Sequence, residues 1–217
     1  MNKINDKLNV RRNLLLSCFV LITFIFTACN NKKKVEITNE KGVVIESYFV
    51  QKDNPDVKVG LYNKFYDDGK ILETVNYKDG KQNGERTTYY STGKIMTKEN
   101  IVDNFNTGIY IAYNEDGTIH QQGSYKENKM DGTWKTYYQD QKNVLQYEAV
   151  FKDGAFNGPY KEYYPNGKLF AEGNKIQLTD DLDVYDGKVQ VYDSLGNLDR
   201  ILTYDKGKQI NKEEVKK

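Results

Sequence analysis

Large apolar and aromatic side chains recur along this chain in short alternating runs, and each run opens on a glycine. Gly60, Gly84, Gly108 and Gly132 stand 24 residues apart, Gly158 follows after 26 and Gly187 after 29. Counting from each glycine, position +2 is aromatic in Tyr62, Tyr110, Trp134 and Tyr160, and position +6 in Tyr66, Tyr90, Tyr138 and Tyr164. Position +5 is aromatic in every unit: Phe65, Tyr89, Tyr113, Tyr137, Tyr163 and Tyr192. Successive side chains of a strand point to opposite faces. Positions +2 and +6 therefore share one face and +5 takes the other.

Each run is followed by a turn with glycine near +9, as in Asp68-Gly69, Asp116-Gly117 and Asn166-Gly167. Such pairs supply the positive φ that a tight hairpin needs. A second strand then carries an aliphatic residue at +11 (Ile71, Ile95, Ile119, Leu169, Leu198). It ends on a large apolar residue at +17 (Tyr77, Ile101, Tyr125, Tyr204). A second turn uses Asp79-Gly80, Asp103-Asn104, Glu127-Asn128, Asp153-Gly154 or Lys206-Gly207. The pattern predicts an all-β protein: an elongated single-layer antiparallel meander of tandem β-hairpins, with about 12–14 strands. At about 4.8 Å per strand the sheet would run to roughly 60 Å.

Three departures stand out. Arg86 replaces the +2 aromatic of the second unit, and Asp140-Gln141-Lys142-Asn143 lengthens the first turn of the fourth without glycine. The fifth unit loses the pattern after Gly173, and the stretch from Asn174 to Asp186 is expected as a surface loop. Positions +2 and +6 also drift, to Arg86, Val189, Asn114 and Asp193, whereas +5 never does. The +5 column is accordingly expected to carry the packing between repeats, with a truncation in mid-array costing about 3–5 kcal/mol.

The best single unit is Gly158-Pro-Tyr-Lys-Glu-Tyr-Tyr-Pro-Asn-Gly-Lys-Leu-Phe-Ala-Glu-Gly173. It resembles the bacterial variant of the MORN repeat, most closely the tandem arrays of the YwqK-type family, over roughly residues 36 to 210. Members of that family are commonly described as antitoxin or immunity proteins. The resemblance implies a non-catalytic, protein-binding module, although fold alone does not fix function.

Before the repeats, Lys3, Lys7, Arg11 and Arg12 precede an apolar stretch from Leu14 to Ala28. This is the composition of a secretory signal peptide, too short to span a bilayer. Its end, Phe26-Thr27-Ala28-Cys29, resembles a lipobox, with Cys29 as the residue to be acylated. The chain thus divides into a leader (1–28), a lipidated tether (29–35), the repeat domain (36–210) and a charged tail (211–217). Cleavage takes away Lys3, Lys7, Arg11, Arg12 and Asp6, so a formal charge of +1 becomes −2. It also removes Cys18, leaving Cys29 alone and no disulfide. The expected location is the bacterial cell envelope, with outer-membrane sorting in a two-membrane cell because Asn30 is not Asp. Lys32–Lys34 is expected to belong to the solvated tether.

Chemistry is sparse. The one histidine, His120, stands where other units carry Leu72, Met96 or Leu145 and is read as a tolerated strand residue. The acidic run Asp180, Asp181, Asp183 and Asp186 lacks the ligand spacing of an EF-hand and is read as a solvated loop. No catalytic, metal or cofactor site is implied, and a slightly acidic secreted chain is a poor nucleic-acid binder. The expected partners are membrane lipid through Cys29 and a protein on the repeat face or sheet edge. The alternative is a glycan-binding module that uses exposed Tyr and Trp134 as stacking platforms.

Overall fold

A computed structural model describes residues 31–215. The leader and Cys29 lie outside them. The hairpin of β1 (Lys32–Thr38) and β2 (Val44–Gln51) comes first. It is followed by β3 (Gly60–Phe65) and β4 (Ile71–Lys78), then β5 (Lys81–Gln82), β6 (Gly84–Tyr89) and β7 (Ile95–Val102). Next come β8 (Phe105–Tyr113), β9 (Ile119–Lys126), β10 (Lys129–Met130), β11 (Gly132–Tyr137) and β12 (Leu145–Lys152). The chain ends with β13 (Ala155–Tyr163), β14 (Leu169–Thr179), β15 (Leu182–Tyr192), β16 (Leu198–Asp205) and β17 (Lys208–Glu214). No helix occurs among the described residues.

Every strand pairs antiparallel with its sequence neighbours, in one open sheet. The two-residue strands β5 and β10 share a partner with β6 and β11, so each is the start of one interrupted strand. β1 and β2 form the partial unit expected before Gly60, so the strands beyond the expected number are the short β5 and β10 and the C-terminal β17. In the first hairpin, Gly42 N donates to Asn39 O and Asn39 N to Val43 O, the bonding that Gly69, Tyr66 and Lys70 repeat. That hairpin is a divergent unit whose +9 glycine, Gly42, survives at φ 78°.

Two of the expected boundaries move. Strand β1 begins at Lys32, so most of the segment 29–35 is an edge strand rather than a free tether. Strand β17 runs to Glu214, so most of 211–217 is also sheet. Both edge strands are exposed and dense in Lys and Glu, a composition that discourages pairing with another sheet. The stretch 174–186 is not a loop either. Strands β14 and β15 extend through it as a paired hairpin, with Ile176 opposite Val184 and Thr179 opposite Leu182. Branched apolar residues on both sides favour the pleat, and only Asp180-Asp181 forms the turn.

The second turns are type I′, because both central residues take positive φ. Asp79 and Gly80 have φ 51° and 81°, and Asp103 and Asn104 have 51° and 73°. In the lengthened turn of the fourth unit, Asn143 at φ 60° takes the glycine's part, and Tyr138 N still closes the loop on Val144 O. A β-bulge also falls immediately before +5 in all six units, for example between Thr136 and Tyr137. Bulges at fixed intervals add twist and bend to the sheet.

The core lies on the face of +2, +15 and +17. Trp134 is 1% exposed, beside Ala149 at 0%, Phe151 and Tyr160. A rule of sizes governs this face. Trp134 stands between Ala149, its partner on β12, and Gly123 on β9, whose added Cβ would lie 2.2 Å from the indole. Tyr160 stands between Ala149 and Gly173. Large rings fit because their cross-strand neighbours are small, and the indole Nε1 finds the Ser124 carbonyl at 3.0 Å.

The +5 rings behave differently from expectation. All six are half-buried on the opposite face, and none makes a ring–ring contact among the described residues. The units are joined instead by side-chain hydroxyls on backbone carbonyls. The +6 hydroxyl donates to the +5 carbonyl of the next unit: Tyr66 to Tyr89 (2.7 Å), Tyr90 to Tyr113 (2.6 Å), Tyr138 to Tyr163 (2.7 Å) and Tyr164 to Tyr192 (2.9 Å). Periodicity assigns the two faces but does not say which one the sheet closes over.

Two variants test these contacts by denaturant unfolding. Gly123→Ala forces a methyl into the indole and should cost about 1–3 kcal/mol. Tyr90→Phe keeps the ring but removes the hydroxyl, and should cost about 0.5–1.5 kcal/mol. Stability within about 0.3 kcal/mol of wild type in both would show that neither contact contributes.

Candidate functional site

The inner face is closed to ligands by its own side chains. Where Arg86 breaks the +2 column, Glu99 occupies +15 in place of a small residue. The guanidinium grips this buried carboxylate through Nε (2.8 Å) and an Nη (2.7 Å), and Asn106 Nδ2 donates to its second oxygen (2.6 Å). The pair is a satisfied polar substitute for a ring on a small neighbour, and an unpaired buried carboxylate there would be costly.

Two aromatic clusters on this face are filled by the chain's own lysines. Lys58 Nζ sits over Tyr48, Tyr62 and Tyr77 at 4.5, 4.9 and 5.4 Å from the ring centres. Lys175 Nζ, at the +17 place of the fifth unit, sits 3.8 Å from Tyr160 and near Tyr185 and Phe156. Desolvation lowers the Lys175 ammonium below the usual lysine range, while the ring faces supply cation–π attraction. The same burial, with Glu162 and Tyr204 nearby, pushes the Tyr185 hydroxyl up to about 12. Tyr62 and Tyr160 are raised as well, by desolvation first and by Glu46 and Glu162 next.

The outer face is open. Cross-strand ion pairs line it: Lys98 with Glu85 at 3.5 Å, Lys135 with Glu148 at 3.2 Å and Lys161 with Glu172 at 3.6 Å. Strand β8 interrupts this charged ladder with Ile109 and Ile111 at +1 and +3, where other units carry at least one polar residue. Ile109 is 68% exposed. Its neighbours are short or polar (Asn100 on one side, Ser124 and Gln122 on the other), so a shallow groove of about 410 Å³ and another of about 370 Å³ flank the ridge. Further along β8 and β7, Phe105 and Val102 are also exposed, above a third groove of about 410 Å³ at the turns. This apolar strip with polar margins has the character of a protein-docking surface.

The residues singled out by sequence are distributed over the whole sheet. The repeat glycines all take positive φ, Gly60, Gly84 and Gly132 at strand starts and Gly108, Gly158 and Gly187 within β8, β13 and β15. His120 lies at the bulge position of β9, and its counterpart in the fourth unit is Gln146 rather than Leu145. Its Nδ1 is buried without a hydrogen-bond partner. Among the described residues no cluster of His, Cys, Asp and Glu is arranged to hold a metal. Asp186 instead accepts a hydrogen bond from Lys206 N at 3.0 Å, fastening the next turn. The Ile109–Ile111 ridge escaped sequence reading, although isoleucine at both +1 and +3 was its visible signal.

Residues 58–79, 82–103, 106–127 and 156–174 match the MORN repeat variant. Four of the units thus carry the MORN repeat variant, and repeats of this kind are generally modules that bind protein or membrane. The units opening at Gly132 and Gly187 share the fold but not the match. One has the longer, glycine-free first turn, and the other replaces its +2 and +6 rings with Val189 and Asp193. No curated protein matches the chain.

The buried tyrosines predict alkaline behaviour. Their folded hydroxyls ionise above the unfolded value of 10.0, so their stabilisation is complete below pH 10 and is lost as pH rises through the folded values. Stability should hold up to about pH 10 and fall steeply by about pH 12, with tyrosinate absorbance appearing together with unfolding. Full tyrosinate absorbance near pH 10 in a folded protein would show the rings to be solvated.

Proposed function

We propose that this chain is a non-catalytic scaffold of the bacterial envelope, held to lipid through Cys29, whose outer sheet face binds protein. The observation that carries the reading is the division between faces. The inner face spends its aromatic groups on its own packing, whereas β8 offers Ile109, Ile111 and two grooves to solvent. Toxin immunity is one form such binding takes, in keeping with the YwqK-type resemblance. Sorting to the outer membrane, where two membranes exist, follows from Asn30.

The glycan alternative needs flat, exposed rings. Trp134, Tyr160 and Tyr62 are buried against other rings, in stacked, tilted or edge-on contacts, which weighs against it.

Lipid anchoring and protein binding are separable by experiment. Cys29→Ser in cells should abolish acyl labelling and move the protein from membranes to the soluble fraction; labelling that persists contradicts the anchor. A photo-crosslinking residue in place of Ile109 should give a discrete protein adduct, and the same residue at exposed Asn76 should not. Absence of an adduct at Ile109, or equal adducts at both positions, contradicts docking on β8.

A further inference from the structure

The row of second turns has an uneven chemistry. At the mouth of the first unit Lys78 faces Lys81, and at that of the third Lys126 faces Lys129. Like charges directly opposite destabilise a sheet. None of the four makes an ion pair among the described residues, and all four are exposed. Between these lysine pairs the second unit places Val102 opposite Phe105, 44% and 49% exposed. The groove here, about 410 Å³, is bordered by Lys81 and Lys126 and by Asp103 and Glu127. Asp103 is engaged by Asn83 Nδ2 at 3.3 Å. Two lysine pairs that make no ion pair among the described residues, around an apolar pair, fit a segment that is both acidic and aliphatic.

The same chain carries a segment of that kind. The hairpin of β14 and β15 is the one unit lengthened as paired strand, 11 residues on each side. The sheet does not need the extension, since the repeat register resumes below it with Ala171 opposite Val191. Its tip exposes Leu178 (45%) and Leu182 (48%). Asp180, Asp181 and Asp183 surround them, exposed and without a hydrogen bond or ion pair among the described residues, with Asp183 within electrostatic reach of Lys175. Two units separate this tip from the Val102–Phe105 groove in one continuous sheet, so a molecule cannot reach its own groove.

We infer that the β14–β15 tip of one molecule docks in the Val102–Phe105 groove of a second copy. Leu178 and Leu182 cover the apolar pair, and the three carboxylates relieve Lys78, Lys81, Lys126 and Lys129. The donor and acceptor surfaces differ, so the contact is head-to-tail and extends into chains rather than closing on a two-fold dimer. The inference rests on the outer-face reading and names a partner for it.

All described strands and the core lie within residues 31–215, so a chain of residues 31–217 contains the complete sheet and serves for the test. In sedimentation velocity its mean mass should rise with concentration from about 1 μM to about 1 mM. The rise should shrink in about 1 M salt, which screens the charge contacts. Leu178→Asp with Leu182→Asp, and separately Phe105→Asp, alter exposed side chains and should leave folded monomers by circular dichroism. Mixed in equal amounts, the two variants should form a complex of two chains and no larger species, because each keeps one intact surface. A wild type monomeric throughout, association that survives the tip variant, or a mixture that stays monomeric would each overturn the inference. None of these results would touch crosslinking at Ile109, which tests the parent reading.

Discussion

A single sheet has no second layer to bury its apolar face, so everything here depends on rings finding room among their own neighbours. The solution is a pairing of sizes across strands. Trp134 occupies the space left by Gly123, Ala149 lies between Trp134 and Tyr160, the space beside Gly173 is taken by Val189, and edge-on contacts link Trp134 with Tyr125 and Phe151. Apolar burial of this kind is worth about 1.5–3 kcal/mol per large side chain. In the second unit Arg86 and Glu99 replace the ring and its small partner together.

The backbone is arranged to serve that packing. Type I′ turns recur at one edge and tight, mostly glycine-bearing turns at the other, and the bulge before +5 recurs with them. The +6 tyrosines then tie each unit to the carbonyl of the next. The third and sixth units lack this tie, carrying Asn114 and Asp193 instead. Those side chains turn back to their own loops, on Thr118 and Asn197. With the inner face so occupied, binding chemistry is left to the outer face, where β8 departs from the charged ladder, and to the row of second turns.

The repeat, its turns and the all-β meander were legible in the sequence because each rests on local chemistry: positive φ at Asp-Gly or Asn-Gly, and alternation along a strand. The choice of buried face was not. Phe65 through Tyr192 recur more faithfully than the +2 rings, yet recurrence does not report burial. The decisive signal lay in the small residues Gly123, Ala149 and Gly173, which matter only once register brings them beside a ring. The β14–β15 extension was misread for a similar reason. Its acids suggested a loop, while Ile176, Leu178, Leu182 and Val184 were already strand residues. The Ile109–Ile111 ridge needed its neighbours' identities, and those come from pairing rather than from sequence order.

One comparison within a single strand bears most directly on this account. Trp134 and Tyr137 both lie on β11 but on opposite faces, so their truncation to alanine samples the two faces in one local context. Denaturant unfolding of the two variants should give a loss of about 3–5 kcal/mol for Trp134→Ala, the range for a fully buried ring. Tyr137→Ala, half-buried and without a ring partner, should lose about 1–2 kcal/mol, near the middle of the distribution for single substitutions. Equal losses, or a larger loss at Tyr137, would contradict a sheet held together by its inner face.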